Sequence, residues 1–142
     1  MKNEVSGTMI GGILFTHGDI GKELLRTAEI IIGSQEHIVA LTNEGCSATL
    51  MENTLKDALS DGNFQDGVII FVDLARGSCW VAAERLRKRY GNVYLISGVN
   101  LPMLLRFFYK REILDLPALV ENLCEGGVEG IQMGRAASEV SA

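Results

Sequence analysis

A chain of 142 residues, 47% hydrophobic and 22% charged, has the composition of one ordinary globular domain and is long enough to bury a core without disulfides or metal. Thirteen Lys and Arg against 18 Asp and Glu leave a formal net charge of −5, which argues against a protein built to bind nucleic acid or anionic lipid. The polar start Met1-Lys2-Asn3-Glu4 is unlike a signal peptide, and no apolar run approaches the ~20 residues of a membrane-spanning helix, so a cytoplasmic protein without direct membrane insertion is expected.

The first element is the short apolar run Met9 to Phe15, a buried strand that stops at Thr16-His17-Gly18-Asp19. A helix follows, with Ile20, Leu24, Ala28, Ile31 and Ile32 on one face and Gly33 as its stop. His37 to Leu41 is expected as a second strand and Asn43 to Ser47 as a loop; Thr49 to Glu52 has capping-box spacing for a second helix carrying Met51, Leu55, Ala58 and Leu59. Val68 to Val72 is wholly apolar, as a central parallel strand covered on both faces should be, and ends at Asp73. Beyond Leu74-Ala75-Arg76-Gly77, a helix is expected from Ser78, as its N-cap, to Tyr90, with the Arg87-Lys88-Arg89 cluster at its dipole-negative end. Val93 to Ile96 makes a fourth strand. Two apolar helices follow, opened by Asn100-Leu101-Pro102 and Asp115-Leu116-Pro117, the second closed by Gly126-Gly127, with Val128 to Met133 a candidate extra edge strand.

Strands alternating with helices through short loops specify right-handed crossovers and a mostly parallel sheet. The expected fold is a doubly wound α/β domain of strand order 2-1-3-4 over residues 1–133, with 134–142 a small, polar tail that is mobile or exchanged in a dimer. In such sheets ligands sit beyond the carboxyl ends of the strands where the strand order reverses. The first strand ends at His17 and the third at Asp73, so the order 2-1-3-4 places an imidazole and a carboxylate in one crevice. A carboxylate that takes the proton of one ring nitrogen fixes the tautomer and leaves the other as the nucleophile, an arrangement suited to attack on phosphorus. Backbone N–H groups at Gly77 and Ser78, at the mouth of a helix, offer an anion site beside them, and Arg76 is a candidate phosphate ligand.

The remaining reactive residues point elsewhere. Only two histidines are present, and His37 heads a strand on the far edge, where a structural or solvated role is expected. Cys46, Cys79 and Cys124 have no C-x-x-C pairing, and nothing resembles H-E-x-x-H, so neither a disulfide framework nor a metal site is expected. Cys79 to Arg85 matches the C-x5-R spacing of cysteine phosphatases, but the intervening residues are helix formers without the glycines a phosphate-wrapping loop needs. No G-x-G-x-x-G follows a strand and no phosphate-binding G-x-x-x-x-G-K-[ST] occurs.

From Ile13-Leu14-Phe15-Thr16-His17-Gly18 through Asp73-Leu74, Gly77-Ser78 and Ala82-Ala83 to Gly98-Val99-Asn100-Leu101-Pro102-Met103-Leu104, the chain resembles the enzyme IIA domain of the mannose/fructose/sorbose family of the bacterial sugar phosphotransferase system. The resemblance implies that His17 accepts a phosphoryl group from the phosphocarrier protein HPr and passes it to an enzyme IIB partner of a mannose-type permease. It also implies a homodimer and no cofactor. Where the family usually reads D-L-F-G-G-S-P, this chain has Ala75, Arg76 and Cys79 in place of the aromatic, the first glycine and the proline, and Val81 replaces a frequent asparagine. These departures leave an alternative: a regulatory module that senses phosphorylation without direct sugar transport.

Overall fold

The computed structural model describes residues 8–140. Four strands, β1 (Gly11–Thr16), β2 (Ile38–Thr42), β3 (Val68–Val72) and β4 (Val93–Ile96), alternate with helices α1 (Ile20–Ile32), α2 (Ala48–Asp61) and α3 (Ser78–Arg87); α4 (Leu101–Lys110) and α5 (Leu116–Glu129) follow β4. All pairings are parallel in the order β2-β1-β3-β4, the doubly wound arrangement expected from the sequence.

The strands alternate sides at a period of two, and the core divides accordingly. Leu14, Ile69 and Phe71 face α1, α4 and α5, joining Ala28, Leu104, Phe107, Leu119 and Leu123. Ile13, Phe15, Val68, Ile70 and Val72 face α2 and α3, joining Met51, Leu55, Ala83 and Leu86. Both central strands are buried throughout, which is why their sequences show no polar alternation. The apolar face of α4 is accounted for here: Met103, Leu104, Phe107 and Phe108 are all buried in the first of these layers.

Several boundaries differ from the sequence-based expectation, each for a local reason. Ser47, not Thr49, caps α2, its hydroxyl accepting from the Leu50 N–H at 3.1 Å. The cap of α3 is Gly77 rather than Ser78, and the helix ends at Arg87. His37 lies before β2 in the left-handed region, at φ 61°, with its carbonyl and those around it held by the buried guanidinium of Arg111, which donates to Glu36 O at 2.7 Å. Residues 128–133 form no edge strand, and Gly126-Gly127 does not close α5, which continues to Glu129. A Cβ on Gly126 would lie 2.7 Å from Arg106 Nε, and one on Gly127 2.8 Å from Met103 Cε. The two glycines therefore let α5 lie close on α4, and that packing outweighs their helix propensity cost of about 1 kcal/mol each.

Register positions the site. Phe15 pairs with Val72 and Thr16 with Thr42, so β1, β2 and β3 end level with one another. The residues just beyond, His17, Asn43 and Asp73, meet at the carboxyl edge of the sheet, while His37 sits at its opposite edge.

Candidate functional site

The turn after β1 is set by Thr16 and Gly18. The buried Thr16 hydroxyl accepts the Gly21 N–H at 2.8 Å, tying the start of α1 to the strand end, and Gly18 takes φ 56°, which costs a glycine nothing. His17 is thereby held at the mouth of the crevice with its side chain 41% exposed, against 14% for Asp73. Its Nδ1 lies 3.0 and 3.1 Å from the two Asp73 carboxylate oxygens, and its backbone N–H donates to Asp73 Oδ2 at 3.2 Å. A carboxylate only accepts, so Nδ1 carries the proton and Nε2 presents its lone pair outward. The Ser78 hydroxyl is 3.3 Å from Nε2.

Because Gly77 caps α3, Ser78 stands at the first helical position with its side chain free to face His17. The N–H groups left open at the helix mouth differ by one residue from the pair expected to bind an anion. The Gly77 N–H is used in the turn, donating to Leu74 O at 3.3 Å, whereas the first α3 N–H with a helical acceptor is that of Val81, bonded to Gly77 O at 3.0 Å. The N–H groups of Ser78, Cys79 and Trp80 thus have no protein acceptor among the described residues and open at the helix N-terminus. Gly77 acts through its missing side chain: a Cβ there would lie 3.1 Å from His17 Cε1.

Arg76 adopts the left-handed conformation, φ 68°, that its position in the loop demands. Its guanidinium makes no hydrogen bond or ion pair among the described residues; it borders, with Ser78, Met51 and Val81, a cleft of about 300 Å³ between α2 and α3 beside the histidine. Arg85 lies on the same cleft but is paired with Glu52 at 3.0 Å.

Cys79 is fully buried, and its thiol is pushed up to about 12, first by burial and then by the Asp73 carboxylate. A thiol so strongly protonated at neutral pH is packing, not a nucleophile, which removes the chemical basis of a cysteine phosphatase. One member of the site was missed in the sequence. Asn43 accepts the Gly18 N–H on Oδ1 at 3.3 Å and donates from Nδ2 to Ser78 Oγ at 3.3 Å. The reasoning that located His17 and Asp73 at strand ends applies equally to Asn43, the residue after β2.

The doubly wound sheet thus sets a half-exposed imidazole, braced by a carboxylate, at the switch point where such sheets take their ligands, with open helix N–H groups beside it. Comparison with known proteins gives the family. The family model described as the fructose IIA component of the phosphotransferase system (PTS) matches residues 11–124, and the chain belongs to that family. The PTS system mannose-specific EIIAB component of Escherichia coli K12 is 32% identical over 125 residues, which cover 84% of this chain and 38% of that protein. The chain therefore spans well under half the length of that relative. The PTS system fructose-specific EIIA component of Bacillus subtilis is 29% identical over 116 residues, covering 81% of this chain and 80% of the relative. Among solved structures, the PTS component EIIA from Streptococcus agalactiae superposes with a TM-score of 0.81 at 26% identity, covering 88% of this chain and 97% of that one.

Proposed function

We propose that His17 is the transient phosphoacceptor of an enzyme IIA, taking a phosphoryl group from HPr and passing it to an enzyme IIB that serves sugar uptake. The observation that carries this reading is the fixed polarity of the ring: Nδ1–H to Asp73 and an unprotonated Nε2 whose lone pair faces the Ser78 hydroxyl at the mouth of the crevice. In the forward step Nε2 attacks phosphorus, the bond from phosphorus to the donor's imidazole nitrogen breaks, and the donor leaves as a neutral ring. No proton moves. His17 keeps its Nδ1 proton and gains positive charge, which the Asp73 carboxylate offsets at 3.0 Å, while the Ser78 hydroxyl and the free N–H groups of α3 face the phosphoryl oxygens. Onward transfer reverses these events. Arg76, which makes no ion pair among the described residues and borders the same cleft as Ser78, supplies a cation for the same oxygens.

Incubation with phosphoenolpyruvate, enzyme I and HPr is expected to yield an acid-labile, base-stable phosphate that His37→Ala retains and His17→Ala loses. Equal labelling of His17→Ala would sink the assignment.

The strained Arg76 loop favours a second reading, a module that reports its phosphorylation state to a regulatory partner. Labelling of His17 with no transfer to any enzyme IIB would select it. We also propose a homodimer in which residues 134–142 are exchanged. Among the described residues the outer edge of β4 has no partner strand, and Ile131, Met133 and Val140 expose apolar side chains next to and within the tail. Equilibrium sedimentation showing a monomer at high micromolar concentration would refute it.

A further inference from the structure

With His17 neutral, the polar groups around it admit one consistent arrangement of protons, and it gives Asn43 a part. The backbone N–H of Gly18 can only donate, so its bond at 3.3 Å identifies the Asn43 atom facing it as Oδ1. Nδ2 must then be the atom 3.3 Å from Ser78 Oγ, and an amide N–H likewise only donates. The Ser78 oxygen is therefore the acceptor in that contact. Its single proton is left for His17 Nε2, 3.3 Å away. From the other end, the Asp73 carboxylate demands the proton of Nδ1, so the two ends agree on the same tautomer. Asn43 itself is held by its backbone, whose N–H donates to Thr16 O at 3.0 Å and whose carbonyl accepts from Cys46 N–H at 3.0 Å.

We propose that Asn43 is a positioning residue for His17: by donating to the Ser78 oxygen it turns that hydroxyl's proton toward Nε2 of the neutral ring, and so favours the tautomer whose exposed nitrogen is unprotonated. Its consequence for transfer rests on the phosphoacceptor reading; the proton arrangement does not. When a phosphoryl group occupies Nε2, the same Ser78 proton turns to a phosphoryl oxygen while Asn43 stays on the hydroxyl.

The test uses the full chain labelled with 15N at histidine. In wild-type protein with neutral imidazole, His17 should show a pyrrole-type Nδ1 and a pyridine-type Nε2. Asn43→Asp keeps the size but presents a carboxylate that only accepts, so it should capture the Ser78 proton and leave its oxygen facing Nε2. The Nε2 resonance should then move toward the protonated position, with a roughly 10-fold slower phosphorylation by phospho-HPr, the order expected for loss of one hydrogen bond at a reacting atom. Asn43→Ala should slow the reaction several-fold on its own and not at all in a Ser78→Ala background, because it acts through that hydroxyl. An unmoved Nε2 signal in Asn43→Asp, or additive losses in the double variant, would overturn the proposal. A shifted Nε2 in a protein whose wild type takes up no phosphate would uphold the positioning role and discard the phosphoacceptor reading instead.

Discussion

Asp73→Asn isolates the charge on which the mechanism depends. The side chain keeps its shape and one acceptor oxygen, so the ring can still be held, but the negative charge that faces the phosphorylated imidazole is gone. In the resting state Asp73 takes two donors, the Nδ1–H at 3.0 Å and the His17 backbone N–H at 3.2 Å, and the asparagine oxygen must serve both. Hydrogen bonds to charged groups contribute about 1.5–3 kcal/mol against about 1 for neutral ones, so the difference lost in the charged state is about 0.5–2 kcal/mol. Half-exposure of His17 keeps the figure at that level rather than the much larger values of a dry interior. By the rule that 1.4 kcal/mol is tenfold, transfer from phospho-HPr should slow about 2- to 30-fold. Rapid-quench measurement of label appearing on the protein, with circular dichroism to establish that the variant is folded, gives the number. A folded Asp73→Asn protein that accepts phosphate within twofold of wild type would refute the reasoning.

Gly77→Ala tests steric room alone, since Gly77 has φ −76° and alanine adopts it freely; the new Cβ, 3.1 Å from His17 Cε1, should slow transfer several-fold with a thermal midpoint little changed. Arg76→Gly removes the left-handed strain at φ 68°, worth about 1 kcal/mol, offset in part by the greater freedom of glycine in the unfolded chain, so the midpoint should rise by about 1–4 °C while phosphorylation slows. A rise in both stability and rate would remove Arg76 from the site. The Cys79 thiol sits at about 12 folded against 9.0 unfolded, so the unfolded chain releases this proton first as pH rises. The stability tied to it is intact below pH 9 and lost progressively toward pH 12. Urea unfolding should show a steeper alkaline loss for wild type than for Cys79→Ala; equal slopes would contradict the burial argument.

The placement of His17 and Asp73 was legible because it needed only strand ends and strand order. Buried parallel strands declare themselves as short, wholly apolar runs, and short connections leave few ways to order them. The glycine pair 126–127 shows where such reading stops. Locally it signals a helix end, but the contact it makes possible is with Arg106 and Met103 on a neighbouring helix, and no local rule contains that neighbour. Ser78 was expected as the cap of α3 and stands instead one position inside the helix. One residue of difference in the cap decided whether its hydroxyl satisfied a helix N–H or faced an imidazole.

The amino-acid order by itself determined the doubly wound class and the presence of one imidazole and one carboxylate at the switch point, because apolar runs and connection length are local properties. The tertiary structure alone decided the direction of every hydrogen bond at the site, the entry of Asn43, and which N–H groups at the mouth of α3 are left open. Those depend on distances of a few tenths of an ångström between residues 25 to 61 positions apart, which only the packed sheet brings together.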